Sequence, residues 1–101
     1  MKSLGIDIGS SSVKVSLLEI ATGECVASAT NPAQEMPIEA LHAGWAEQDP
    51  EMWWHYVCEG IRQIEAARPG AMRAVVSVGI TYQMHGLVCL DRAGRPLRKA
   101  I

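Results

Sequence analysis

No stretch of this 101-residue sequence stays apolar long enough to cross a bilayer. The N-terminus runs straight into MKSLGIDIG, where Asp7 breaks the apolar residues, so the apolar core of a signal peptide is missing too. Basic residues are scarce: the net charge is −2, and there is no basic stripe of the kind a nucleic-acid partner requires. The small cluster Arg92, Arg95, Arg98 and Lys99 reads as a solvated turn. Cysteine is limited to Cys25, Cys58 and Cys89, widely spaced, with no CxxC or Cys/His metal pattern. Three buried free thiols in a reducing cytosol are the expectation. The GxxxxGK[ST] phosphate loop is absent. No nucleophile with its base, and no carboxylate pair, follows from spacing. The expectations are a cytoplasmic protein with neither a nucleic-acid nor a membrane partner.

What is present is one domain at most. Leu4, Ile6 and Ile8 alternate with Gly5, Asp7 and Gly9, which predicts a strand with one apolar face. Gly9-Ser10-Ser11-Ser12 is turn chemistry, and Val13, Val15 and Leu17 resume the alternation. After a second turn at Ala21 to Glu24, Cys25 to Thr30 reads as a third strand. Short turns between three strands predict an antiparallel meander.

Asn31 to Gln48 reads as a loop, with Pro32 and Pro37 and no sustained period. A helix then starts at Asp49 as cap, with Pro50 in the first position and Glu51 at the positive end of the dipole. Trp54, Val57, Cys58, Ile61 and Ile64 predict its apolar stripe, and Arg68-Pro69-Gly70 ends it. Met72 to Ile80 reads as a strand covered on both faces, parallel to an earlier one because a helix intervenes. After Gln83-Met84-His85-Gly86, Leu87 to Leu90 reads as a short strand and Asp91 to Gly94 as a turn. Meander, crossover helix and parallel strand together make the opening of a ribonuclease H-like, actin-like ATPase half of the α/β class, here incomplete.

Asp7 is the first candidate for chemistry. A carboxylate in an apolar strand is costly to bury without partners, and at a strand end before a Gly-Ser turn it suits a ligand; otherwise it simply reaches solvent. The Gly9 to Ser12 turn offers N–H groups and hydroxyls to phosphate oxygens, and Lys14 on the next strand, opposite in facing to Val13 and Val15, adds a positive charge. Taken alone, a common Gly- and Ser-rich hairpin turn is the better account of those residues. Gln83 and His85 can both donate and accept hydrogen bonds, and Met84 can pack on a carbon skeleton, which suits a polyhydroxylated ligand. A turn with an exposed histidine is the plain alternative, and His42 and His55 are read that way. Trp45, Trp53 and Trp54 offer a stacking platform, but helical spacing favours packing for Trp54, as does the helix entrance for Trp45.

Taken together, GIDIGSSSVKVSLLE, GWAEQDPEMWW and ITYQMHGLVCLDRAGRPLRKAI resemble the N-terminal portion of the FGGY carbohydrate kinases, and within them the xylulokinases. The first stretch is shared by many actin-like ATPases; EQDP-x-x-WW followed by QMHG is far more specific. The resemblance covers essentially residues 1–101, as the N-terminal part of the first kinase domain. It implies ATP- and Mg²⁺-dependent phosphorylation of a sugar hydroxyl, typically D-xylulose to D-xylulose 5-phosphate. It also implies that Asp7 lies near the metal, through water, and near the triphosphate. Gly9, Ser10 and Ser11 match the phosphate-facing turn, with Ser10 where many relatives have threonine. Met84 and His85 match the sugar-contacting pair. Relatives acting on ribulose, gluconate, glycerol or fuculose share the first motif, and Met84-His85 tilts the expectation to xylulose.

In the family the general base, the second phosphate motif, the adenosine motif and the second domain lie downstream of the position matching Ile101. The 101-residue chain alone is therefore expected to be inactive. With one helix to cover its sheet it is also expected to self-associate through an apolar face and an open edge. Two alternatives stand beside this reading. A ribonuclease H-like nuclease or resolvase would use Asp7 as a metal ligand, but lacks a basic groove and leaves QMHG unexplained. A truncated, non-catalytic remnant is the other.

Overall fold

The computed structural model describes residues 1–101 and forms a four-stranded mixed sheet with one long helix on one face. Strands β1 (Lys2–Ile8), β2 (Val13–Glu19) and β3 (Cys25–Asn31) form the antiparallel meander, and β4 (Val75–Tyr82) pairs parallel to β1. The order across the sheet is β3-β2-β1-β4. Helix α1 (Pro50–Ala67) is the crossover between β3 and β4. No helix is long and apolar enough to cross a membrane.

Alternation in β1 and β2 sorts the sheet into two faces. Leu4, Ile6, Val13, Val15 and Leu17 are buried together with Val57 and Ile64 of α1 and with Met36 from the long loop. Asp7 and Lys14 point to the opposite face and are exposed. The helix lies over β2 and β3, and it comes close because Gly60 has no side chain. A Cβ at Gly60 would sit 2.6 Å from Cγ2 of the fully buried Val15. The junction is further fixed by Asn31 at the end of β3, whose amide exchanges two hydrogen bonds with that of Gln63 at 3.0 and 3.1 Å.

The start of α1 forms as its residues dictate: the Asp49 carboxylate accepts from the Glu51 N–H at 3.0 Å, and Pro50 occupies the first turn. Val57, Ile61 and Ile64 of the expected apolar stripe face the core and Cys58 is half-buried, but Trp54 is replaced by its neighbour. Trp54 is 64% exposed, while Trp53, Val57, Gly60 and Ile64 face the sheet. The true stripe runs through a glycine, which a search for large apolar residues passes over. At the other end Gly70 takes a left-handed conformation, φ 82°, and the Glu65 carboxylate accepts from the N–H groups of Gly70 (2.6 Å) and Met72 (3.0 Å). The bond from the Met72 N–H, followed by that from Gly70, holds the Glu65 carboxyl below its ordinary range.

Several sequence expectations are corrected. Met72 lies in a short 3-10 turn (Ala71–Ala74), and the strand begins at Val75. That strand is not covered on both faces: it is a sheet edge, and Val76, Val78, Ile80 and Tyr82 are all exposed beyond the reach of α1. Hydrophobicity alone could not distinguish a covered strand from one left bare. Leu87 to Leu90 is not a strand but one arm of an irregular hairpin, closed by bonds between Leu87 and Ile101 and from the Leu97 N–H to the Cys89 carbonyl. Cys25 and Cys89 are exposed and Cys58 half-buried, so the three free thiols are not core residues. Trp45 is also largely exposed, meeting the His42 ring edge-on with centroids 4.5 Å apart instead of entering the core.

Two outcomes follow from the helix contacts. Gly60→Ala gains about 1 kcal/mol of helix propensity but drives a methyl into Val15, and overpacking of a filled core costs about 1–3 kcal/mol. A lower urea midpoint with an unchanged slope is expected. Because the folded-state pKa of Glu65 is depressed, its contribution is complete above the ordinary value of 4.5 and is lost as pH falls through the depressed folded value. The melting temperature should fall in that acid window less steeply for Glu65→Gln than for the parent chain.

Candidate functional site

The parallel register of β1 with β4 pairs Ile8 with Tyr82, so the residues following both strands leave the sheet at the same end and side by side. After β1 comes the Gly9–Ser12 turn, closed by a bond from the Gly9 N–H to the Ser12 carbonyl at 2.9 Å. Gly9 is not in the left-handed region; it is needed because a Cβ would lie only 3.0 Å from that carbonyl oxygen. The N–H groups of Ser10 and Ser11 donate to no backbone carbonyl, and both residues are exposed. Two free, adjacent amides in a tight turn form a concavity that suits an anion.

After β4 comes Gln83 to Gly86. The ladder is extended by one bond, from the Gln83 N–H to the Ile8 carbonyl at 3.0 Å, and then the backbone turns sharply. His85 accomplishes this with φ 64°, a left-handed conformation uncommon for a non-glycine residue. Strain of this kind persists where the surroundings hold it and is concentrated at ligand sites. Met84 is 79% exposed and His85 is exposed beside it.

Ser10 of the turn and the Gln83–Gly86 loop line one cleft of about 200 Å³, together with Ile38, Ala46, Glu47, Gln48, Trp53 and the Ala100-Ile101 end of the hairpin, while Gly9 and Ser11 lie outside its lining. The cleft's inner wall is well anchored. Gln48 pairs by backbone with Ala100 in both directions, at 3.1 and 2.8 Å, and Glu39 pairs likewise with Glu47 at 2.8 Å. The buried Glu47 carboxylate is neutralised by Arg98 at 3.0 Å. Lys99 bonds the Glu39 carboxylate, which holds the ammonium above its ordinary range. The basic cluster read from sequence as a solvated turn thus contributes two ion pairs that pin the hairpin to the wall.

Asp7 and Lys14 sit elsewhere. They are cross-strand partners on the open face of the sheet, in a shallow depression with Gly5, Ser16, Gly79 and Thr81. Asp7 forms no ion pair with Lys14, so both charges are free for a ligand. The candidate residues therefore divide in two: Ser10, Gln83, Met84 and His85 share the cleft, while Asp7 and Lys14 share the adjoining sheet face. Of the three tryptophans offered as a stacking platform only Trp53 lines the cleft, and sequence reasoning missed Gln48. The only available signal was a glutamine beside the helix cap five residues before a tryptophan, and nothing local says that their side chains meet.

Residues 2–101 match the family model of the FGGY family of carbohydrate kinases, N-terminal domain. The chain belongs to that family. It is 40% identical to the xylulose kinase of Klebsiella pneumoniae and 39% identical to that of Escherichia coli, over 98 residues in each case. These alignments cover 97% of this chain and 19% of each relative. Among solved structures, a protein described as a xyloylose kinase from Brucella ovis superposes with a TM-score of 0.90 at 36% identity, over all of this chain and 20% of that one. A gluconate kinase from Lactobacillus acidophilus superposes with a TM-score of 0.83 at 27% identity, over 99% of this chain and 19% of that one. The chain thus spans about one fifth of the length of the relatives it matches. The actin-like ATPase architecture expected from the strand order is the fold of these neighbours. Membership in a carbohydrate kinase family leaves the nuclease alternative without support.

Proposed function

We propose that this chain supplies part of the sugar site and part of the phosphate site of an ATP-dependent kinase that converts D-xylulose to D-xylulose 5-phosphate. The observation that carries the reading is the emergence of the Gly9–Ser12 turn and the Gln83–Gly86 loop side by side at the carboxyl ends of two parallel strands. Open α/β sheets place ligands at that end of their strands. A phosphoryl group must pass from an anion held by the first segment to a hydroxyl held by the second.

In this reading His85 and Gln83 hydrogen-bond sugar hydroxyls, and Met84 packs on the carbon skeleton. The free amides of Ser10 and Ser11 receive phosphate oxygens, and Lys14 adds positive charge on the sheet face. Phosphoryl transfer draws mainly on positioning and charge neutralisation, and these groups provide some of each. Asp7 is exposed on that face, with no group of three or more potential metal ligands near it. One carboxylate fits Mg²⁺ held largely by water and phosphate oxygens, and does not fit a metal caged by protein. When bound, Mg²⁺ neutralises charge on the phosphates. Because Met84 and His85 stand open to solvent, nothing in residues 1–101 closes the cleft against water, and the isolated chain is proposed to be inactive. Three free thiols fit a reducing compartment, the cytoplasm.

The test uses a full-length FGGY kinase whose first domain begins with residues 1–101 of this chain. His85→Ala should raise KM for D-xylulose about tenfold, as expected for a lost hydrogen bond, while KM for ATP changes far less. Equal changes in both, or in neither, overturn the sugar-site assignment; ribulose, gluconate and glycerol in parallel test the choice of sugar. The isolated chain is further proposed to pair with a second copy through the open β4 edge and its exposed apolar row. Sedimentation should show a dimer or larger species at high concentration, and a compact monomer there overturns that proposal.

A further inference from the structure

Gln48 is 6% exposed, and its side chain reaches three segments at once. Its Nε2 donates to the Ser10 carbonyl at 2.5 Å, on the phosphate-facing turn. Its Oε1 accepts from Trp53 Nε1 at 3.0 Å, in the first turns of α1, and from Gln83 Nε2 at 3.4 Å, on the loop after β4. Its own backbone is locked in both directions to Ala100. Every buried side-chain nitrogen and oxygen in the chain is satisfied, so removal of this amide would leave several partners open at once.

We infer that Gln48 is the positioning residue that sets the sugar loop and the phosphate turn against each other. The inference rests on reading the cleft as the sugar site. Gln48 is a floor group beneath the two segments that hold ligand. Its donor end holds the turn and its acceptor end holds the loop, both from a backbone that cannot shift without breaking the Ala100 pair. A ligand that draws Ser10 inward therefore pulls on Gln83 through one amide, and the reverse. Such a link makes occupancy of one site change affinity at the other, reciprocally. The bond to Gln83 is the longest of the three, so the loop is the more readily released partner.

The two ends can be cut separately. Burial can raise a glutamate's pKa to about 8–9, so Gln48→Glu is assayed at a pH above its own titration midpoint, where the carboxyl is ionised. It then keeps the acceptor for Trp53 and Gln83 but has no donor for Ser10. Gln48→Leu keeps the volume and loses both ends. In a full-length FGGY kinase beginning with this chain, with the other substrate held well below saturation so that coupling does not enter, Gln48→Glu should raise KM for ATP about fivefold or more while KM for D-xylulose stays within about twofold. Gln48→Leu should raise both, and the dependence of the ATP KM on sugar concentration seen in the parent should vanish. A parent enzyme without that dependence overturns the inference, as does a Gln48→Glu variant with equal losses for both substrates. If Gln48→Leu does not fold, Gln48→Glu decides alone.

The reading of the cleft itself fails differently: the parent enzyme would then release no ADP with D-xylulose or with the other polyols. In that event amide exchange at Gly9 and Gln83 judges the linkage without turnover. Gln48→Glu should accelerate exchange at Gly9 about fivefold or more and leave Gln83 near the parent rate. Unchanged exchange at both amides would overturn the linkage.

Discussion

The parallel pairing of β1 with β4 is the constraint on which the rest depends. Two parallel neighbours cannot be joined by a tight turn, so the chain must cross the sheet through a connection of a dozen residues or more. Helix α1 is that connection, and it covers the apolar side of the meander while returning the chain to the correct end. The register does the remaining work. With Asp7 opposite Thr81 and Ile8 opposite Tyr82, the segments that follow must emerge together. A slip by one residue would send the Asp7 carboxylate to the covered face and set turn and loop out of step. The close approach of Gly60 to Val15 seats that crossover helix against the meander.

Much of this frame was legible in the sequence because it is encoded locally. Alternation in residues 4–8 and 13–17 reports a half-buried strand without reference to anything distant, and Asp49-Pro50-Glu51 announces a helix start by the chemistry of orphan amides. What was not legible is what depends on who meets whom. Trp53 and Trp54 are adjacent, and which of them turns inward is decided by where α1 touches the sheet, a contact centred on Gly60. The apolar composition of β4 is equally silent on whether anything lies over it. Glu65 resembled any exposed helix carboxylate, yet it holds two backbone N–H groups of the turn beyond its helix.

The candidate site divides along the same line. Asp7, Gly9, Ser10, Lys14, Met84 and His85 could be nominated because their types and places are unusual for plain strands and turns. Gln48 could not, since a glutamine near a helix cap has no special standing until the fold brings Ser10, Trp53 and Gln83 around it. The cleft thereby combines rigidity with exposure. Its inner wall is fastened by backbone pairs and ion pairs, while Met84 and His85 remain open to solvent.

Gly5 and Gly79 are neighbours across the β1–β4 pair on the face that carries Asp7 and Lys14. A Cβ at Gly79 would meet nothing within 4 Å, and one at Gly5 would meet only the Ser16 carbonyl at an ordinary 3.9 Å. Nor is either residue in the left-handed region. The interior of this chain thus has room for side chains at both positions, and glycine in a strand weakens it. The pair makes that face a bare strip of peptide backbone, a level shelf beside the Asp7–Lys14 pair. A planar or strongly hydrated group resting there would meet peptide dipoles directly, at a separation no side chain enlarges.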